Sequence, residues 1–309
     1  MAALACACGR SALGDGLGDS RADDDADADD DADANGDGDG DDDESGEDDP
    51  PPDCDLDSHE LDCDGDGIPD ADDPFPEDRD RPGRARSDLI YLQSSTTLST
   101  LDMRAGVTVT PIADFTFPDD SYGQVTDIAI DRFGVLYAIS SALLHACHPE
   151  TAECWALAEL PTNSLGFVPI GVVDDEDDIL VTLAGTTWIA VRQRGPEIGV
   201  FEIGDVESPY SSSGDIATTA AGLTVFTSNW STGGDVVVGI DPATAEIVGL
   251  IGTPPTIFQV WGVVAYDDAL VLCDQTGVLM SFDPSTGAGY TIGAAPHECW
   301  GAAGHPDLR

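Results

Sequence analysis

The sequence DPATA at residues 241–245 returns as DPSTG at residues 283–287. HPETA at 148–152 is a third copy with a changed first residue, and residues 102–106 and 194–198 look like eroded copies. The copies start near residues 102, 148, 194, 241 and 283, at a spacing of about 42–47 residues. A fixed period in this range indicates small structural units that stack on one another.

Short segments rich in β-branched and aromatic residues surround each turn, and they predict β-strands rather than helices. They include residues 89–92, 128–130, 135–139, 179–183, 223–226 and 270–272. We expect four strands in each unit, with the recurring turn between the third strand and the fourth. The innermost strands are predicted at 126–130, 170–173, 215–218 and 262–265.

A single four-stranded sheet exposes both of its faces, so neighbouring sheets must cover it. The sequence WGAA at 300–303 matches WGVV at 261–264, which starts a repeat. We therefore expect residues 300–304 to supply the inner strand of the unit built from 89–122, because closing the ring removes exposed sheet edges. The predicted fold of residues 87–309 is an all-β, five-bladed β-propeller with four-stranded antiparallel blades. The repeat resembles secreted β-propeller-like proteins with Asp-Pro-x-Thr-Gly hairpins, which are common among bacterial lipoproteins.

The acidic residues are concentrated in one part of the chain. The chain has 309 residues, 61 acidic and 11 basic side chains, and a net charge of −50. Residues 9–53 are dominated by Asp, Ala and Gly, a composition that predicts a disordered tether because it buries no apolar surface. No lysine occurs in the chain, so nucleic acid is excluded as a partner, since phosphate binding needs a basic surface. A strong negative charge favours a monomer.

Residues 1–8 resemble the end of a bacterial lipoprotein signal, the lipobox. Cys6 and Cys8 are both candidates for lipidation, and Cys8 is favoured because Gly9, Arg10 and a polar spacer follow it. The upstream half of such a signal does not precede these residues, which suggests a start site assigned too late. The resemblance implies an outer-membrane lipid anchor and a cell-envelope or extracellular location, with the membrane contacted through the anchor alone.

Residues 62–73, DCDGDGIPDADD, place carboxylates at alternating positions of a loop with glycine at position 6. Calcium takes six to eight oxygen ligands, which a loop delivers from alternating positions around such a glycine. The pattern is similar to the thrombospondin type 3 calcium repeat, and residues 53–80 are predicted to form this module. The expected Ca²⁺ ligands are five side chains and one backbone carbonyl: Asp62, Asp64, Asp66, Asp70, Asp73 and the carbonyl of Ile68. Residues 81–86 are expected to be a hinge that links this module to the propeller.

Six further cysteines allow 15 disulfide pairings. Cys147 and Cys154 flank the 148–152 turn symmetrically, so they are expected to face each other across a hairpin. Cys54 and Cys63 flank one short acidic loop, and their bridge also fits the resemblance to the type 3 repeat. Cys273 and Cys299 then remain for each other in the last repeat.

No nucleophile elbow, phosphate loop or dinucleotide motif occurs in the chain. The predicted function is therefore a non-enzymatic propeller that presents a binding face to an extracellular protein or glycan. The alternative is a secreted propeller enzyme of the lyase or glycoside hydrolase type, for which Asp127 and Asp215 are the candidate carboxylates on inner strands. Trp188 and Trp230 are candidates for a ligand face. The acidic turn at 174–178 is expected to be a solvated loop, with a weak cation site as the alternative.

Overall fold

A computed structural model describes residues 54–118, 123–140, 142–230 and 234–308. Each of the five recurring turns joins the third and fourth strands of a four-stranded antiparallel sheet, as predicted. In the turn at 241–245, the Asp241 side chain accepts the Ala243 N–H at 2.9 Å. Asp283 likewise accepts the Ser285 N–H at 2.8 Å and the Thr286 hydroxyl at 2.7 Å. These hydrogen bonds form within the turn itself, which explains why the sequence recurs.

The five sheets are the blades of a propeller. In blades 2 to 5 the four strands occur in chain order from the innermost strand to the outermost. In blade 1 the innermost strand is the last strand of the chain. Blade 1 contains β1 (Ile90–Gln93), β2 (Thr97–Asp102) and β3 (Thr108–Asp114). Blade 2 contains β4 (Val125–Ile130), β5 (Leu136–Ser140), β6 (Leu143–Cys147) and β7 (Cys154–Glu159). Blade 3 contains β8 (Gly166–Val168), β9 (Ile179–Ala184), β10 (Thr187–Arg194) and β11 (Glu197–Asp205). Blade 4 contains β12 (Ser212–Thr218), β13 (Thr224–Trp230), β14 (Gly234–Asp241) and β15 (Glu246–Gly252). Blade 5 contains β16 (Val260–Tyr266), β17 (Ala269–Asp274), β18 (Val278–Asp283) and β19 (Ala288–Ala294).

The last strand, β20 (Gly301–Gly304), closes the ring by pairing antiparallel with β1. Gly304 lies opposite Ile90 and Gly301 lies opposite Gln93, and the Trp300 N–H donates to the Gln93 carbonyl at 2.8 Å. Trp261 and Trp300, at equivalent repeat positions, contact each other edge to face with centroids 5.4 Å apart. The predicted five-bladed propeller, closed by the C-terminal strand, is therefore confirmed.

Adjacent blades share their hydrophobic cores. Trp188 of blade 3 is fully buried in one cluster with Phe226 and Ile240 of blade 4, and its Nε1–H donates to the Pro242 carbonyl at 3.1 Å. The prediction that Trp188 lines a ligand face is wrong, because the ring packs on the recurring turn of the next blade. The side chain of Trp230 lies outside the described residues.

The inner strand of blade 3 differs from the prediction. The strand is Gly166–Val168, whereas residues 170–173 lie in the loop that follows it. Ile170 and Val172 are exposed in this loop. Their β-branched side chains led to the prediction of a strand, but they do not pack in the sheet.

Residues 54–86, which we call the strap, contain no helix or regular strand and pack on blades 2 and 3. Ala85 N–H donates to the Gly134 carbonyl of blade 2 at 2.7 Å. Gly195 N–H, in the turn between β10 and β11 of blade 3, donates to the Ala71 carbonyl at 2.9 Å. Phe75 contacts Trp155 with ring centroids 5.6 Å apart. The strap therefore belongs to the same compact unit as the ring.

All three predicted disulfides are present: Cys54–Cys63, Cys147–Cys154 and Cys273–Cys299. The predictions for the lipobox at 1–8, with Cys8, and for the tether at 9–53 concern residues outside the described ranges. In the part of the chain that the structure describes, no helix has the length and hydropathy that a membrane span requires.

Candidate functional site

The acidic loop at 62–73 is folded by its own carboxylates. Asp62 accepts the N–H groups of Gly65 and Gly67 at 2.7 and 2.9 Å. Asp64 accepts the N–H of Asp66 at 3.1 Å, and Asp66 accepts that of Ile68 at 2.7 Å. Gly67 has φ of +92°, which a residue with a Cβ rarely adopts. The loop therefore winds around its carboxylates, and one oxygen each of Asp62, Asp64 and Asp66 lie within 4.8 Å of one another.

Three carboxylate oxygens in this loop are buried without a hydrogen-bond partner: the Oδ2 atoms of Asp64, Asp66 and Asp73. Asp73 is 1% exposed, and its Oδ1 accepts the Phe75 N–H at 2.8 Å. A buried carboxylate oxygen without a donor is costly unless a cation neutralises it.

The pKa values of two carboxyl groups in the loop are raised, as expected for buried carboxylates that lack a neighbouring positive charge. Burial, followed by repulsion from Asp66, Asp64 and Asp62, raises the pKa of Asp73 to about 8. Burial and the carboxylates of Asp64 and Asp62 raise the pKa of Asp66 to about 6, against the opposing effects of the Ile68 N–H and the Arg84 guanidinium. A hard divalent cation bound by oxygen ligands would relieve this repulsion, so the residues present fit a calcium ion.

The other two predicted ligands have contacts outside this carboxylate group. Asp70 accepts the Cys63 N–H at 2.8 Å and the Asp55 N–H at 3.2 Å, so it ties the two arms of the strap together. The side chain of Ile68 is fully buried against blades 2 and 3, in one cluster with Tyr137 and Val191. The structure thus brings together Asp62, Asp64 and Asp66, and Asp73 is near enough for their charges to raise its pKa.

A network of ion pairs next to this loop was not predicted from the sequence. Arg132 of blade 2 lies 3.1 Å from Asp72 of the strap and 3.5 Å from Asp178 of blade 3. Arg194 pairs with Asp177, which is 4% exposed. The expectation of a solvated loop at 174–178 is wrong for its last two residues, because these arginines draw their carboxylates into the blade interface.

The second feature is the centre of the ring, where two aspartates hold the inner strands together. Asp215 of β12 is fully buried; its Oδ2 accepts the N–H groups of Val263 in β16 and Ala302 in β20, at 2.7 and 3.0 Å. Asp127 of β4 is equally buried and accepts the Leu165 N–H, just before β8, at 2.6 Å. Asp215 therefore connects the inner strands of blades 4, 5 and 1, and Asp127 connects the inner segments of blades 2 and 3.

Burial raises the pKa of Asp127 and that of Asp215 well above their usual range, and for Asp127 the carboxyl of Asp215 adds to the effect. The backbone N–H donors oppose this shift in both residues. Because their oxygens accept backbone hydrogen bonds from neighbouring inner segments, the carboxyl groups of Asp127 and Asp215 have a structural role.

A cavity of about 280 Å³ lies at the carboxyl-terminal ends of the inner strands. All five blades line it with apolar residues, which include Ile130, Phe167, Ala217, Val264 and Ala303. Asp178, Asp267 and His305 provide its ionisable groups. His305 is held by the Arg132 carbonyl, 2.9 Å from its Nε2. The cavity therefore combines apolar walls with a few polar groups, a composition that suits a small group of a ligand.

No protein-family model and no curated protein matches the chain. Similar solved structures include BamB from Moraxella catarrhalis, at 17% identity and a TM-score of 0.33, with 67% of this chain and 59% of that chain covered. The glutaminyl cyclase of Myxococcus xanthus is similar at 12% identity and a TM-score of 0.40, with 60% and 73% covered. An oligogalacturonate lyase in complex with manganese is similar at 10% identity and a TM-score of 0.37, with 68% and 62% covered. The chain spans less than two thirds of the length of the BamB protein and of the lyase, and similarity at this level assigns it no activity or partner.

Proposed function

We propose that this chain is a calcium-binding, non-enzymatic β-propeller protein that is tethered to the bacterial cell surface and presents a binding face. The observation that carries the calcium proposal is the group of three buried carboxylate oxygens without partners, on Asp64, Asp66 and Asp73. Such a group is costly to fold in the absence of a cation.

The ion would be held by the side chains of Asp62, Asp64, Asp66 and Asp73, with the carbonyl of Ile68 as a further oxygen ligand. Calcium accepts this set because it binds six to eight oxygens in flexible geometry. Asp70 would act as a positioning residue, since it lies outside the group of Asp62, Asp64 and Asp66 and its oxygens fix the backbone on both sides of the Cys54–Cys63 disulfide.

Calorimetric titration of the full chain tests the calcium proposal. We expect a binding event with a Kd of about 0.1–1 mM, the range of extracellular calcium modules. Asp66→Ala is expected to abolish this event, because it removes one buried ligand and leaves two unpaired carboxylate oxygens.

The control is Asp57→Ala, which removes an exposed carboxylate from the same acidic segment and should leave the event unchanged. All three proteins contain the same residues 9–53, so any heat from that acidic segment is common to them. If wild type and Asp66→Ala give superimposable titrations, the calcium proposal is overturned.

The cavity at the ring centre supports the proposal of a binding face for an extracellular protein or glycan. The enzyme alternative needs a carboxylate pair with oxygens free to exchange protons with a substrate. Asp127 and Asp215 are fully buried and accept backbone hydrogen bonds, which favours the binding function.

Arrays of glycans and of cell-envelope peptides test this second part. Ala265→Phe, which fills the cavity, should weaken binding at least about tenfold by removing apolar contact area. Ala243→Phe, at an exposed position in a turn, should leave binding unchanged. Cleavage of an oligosaccharide on the array by the wild-type chain would contradict the non-enzymatic proposal.

Attachment to the outer membrane would be through a lipid on Cys8, as the lipobox resemblance implies, with residues 9–53 as the spacer. Because the strap packs on the ring, those residues alone set the distance to the membrane, with an upper limit of roughly 150 Å at about 3.4 Å per residue. The proposed protein acts as a monomer.

A further inference from the structure

The strap brings the candidate calcium loop into direct contact with the propeller. Ile68, at position 7 of the loop, is fully buried among Tyr137 and Leu144 of blade 2 and Val191 of blade 3. Asp72 is held by Arg132 at 3.1 Å, and its carbonyl accepts the Gln193 amide at 2.9 Å. Residues 62–73 therefore contain both the candidate calcium ligands and the side chains that dock the strap on blades 2 and 3.

The docked conformation is electrostatically costly without a cation. It buries Asp73 to 1% exposure and leaves its Oδ2 without a donor, together with one oxygen each of Asp64 and Asp66. The Arg84 guanidinium acts on Asp66, and its Nε already donates to the Phe133 carbonyl. Because Ile68 and Asp72 of the same loop contact the blades, a cation that holds the loop in this conformation would also favour docking.

We propose that calcium at the 62–73 loop fastens the strap to blades 2 and 3, and that loss of calcium releases it. This inference rests on the proposed calcium site and adds its regulation. Ion binding and docking are linked, so each must strengthen the other by the same factor. Release would add residues 54–86 to the tether. The Cys54–Cys63 disulfide holds residues 54–63 in a closed loop, so the further reach is roughly 85 Å at about 3.4 Å per residue. It would also uncover the apolar surface that Ile68 and Phe75 now cover.

Hydrogen exchange of the full chain, in 10 mM Ca²⁺ and in EGTA, tests the release. The reporter amides are Gly195 and Ala85, whose N–H groups donate across the interface between strap and blades. With a Kd of about 1 mM, calcium should slow their exchange about tenfold. The reference amide is Gly287, which donates within a turn of blade 5 and should exchange at the same rate in both conditions.

Ile68→Ala tests the linkage without removing a ligand, because the backbone carbonyl stays in place. It weakens docking by deleting a buried side chain, so the calcium Kd measured by calorimetry should rise by at least about thirtyfold. The matched control is Leu61→Ala, which deletes an apolar side chain of the strap that is 50% exposed and should leave the Kd unchanged.

The two proposals fail in different ways. Absence of any calcium heat that depends on Asp66 would overturn the site and the inference together. Calcium binding with unchanged exchange at Gly195 and Ala85, and an unchanged Kd in Ile68→Ala, would overturn the inference and leave the calcium site standing.

Discussion

Asp215→Ala is expected to lower the free energy of unfolding by about 4 kcal/mol. The substitution leaves the N–H groups of Val263 and Ala302 without their acceptor at the buried ring centre, and each orphaned buried donor costs about 1–3 kcal/mol. It also disconnects the inner strands of blades 4, 5 and 1 at one point. Because a native protein is stable by only about 5–15 kcal/mol, chemical denaturation should show a large fall in the midpoint.

The control for this prediction is Glu202→Ala, which removes an exposed carboxylate from the outer strand β11. Its denaturation midpoint should match that of the wild type. Asp127→Ala should destabilise the protein in the same direction, because it orphans the Leu165 N–H. If Asp215→Ala has the same denaturation midpoint as the wild type, the carboxylate does not stabilise the contact between the inner strands.

Gly214→Ala is expected to cost about 3 kcal/mol by forcing two inner strands apart. A Cβ at this position would lie 2.4 Å from the Trp261 carbonyl oxygen and 2.8 Å from its Cα. Both contacts are with backbone, so no side-chain rotation relieves them, and added volume in a packed region costs about 1–3 kcal/mol or more. Thermal unfolding followed by circular dichroism measures the loss.

The matched control is Gly249→Ala in the outer strand β15, where an added Cβ meets no atom within 4 Å. We expect this variant to unfold at or above the wild-type temperature, since alanine restricts the unfolded chain. Equal unfolding temperatures for the two variants would refute the steric explanation.

The fold was predictable because its signals are local and repeated. The side chains of Asp241 and Asp283 accept hydrogen bonds within their own turns. Each of these turns can therefore be recognised from its local sequence. The inner strand of blade 3 was missed because Gly166–Val168 is only three residues long. Its packing is set by a glycine whose added Cβ would meet the Ile216 carbonyl oxygen at 2.5 Å, and such a contact between blades has no signature in a local pattern.

The carboxylates of the candidate calcium loop were also found from local spacing, and the three disulfides from the turns and loops that they flank. The docking of Ile68 and the pairing of Arg132 with Asp72 and Asp178 were not. These contacts join parts of the chain whose positions are fixed only after the ring has formed. The same holds for Asp215, which was an isolated acid in a strand until β16 and β20 were placed beside it.

Pairing of β1 with β20 has a consequence for biosynthesis. Gly301–Gly304 must leave the ribosome before the sheet that begins at Ile90 is complete. The strands of each of blades 2 to 5 are translated one after another, but blade 1 is complete only when the last strand, β20, has been translated. Contacts of such long sequence separation slow folding. An unfinished polypeptide would therefore expose the unpaired edge of β1 throughout synthesis.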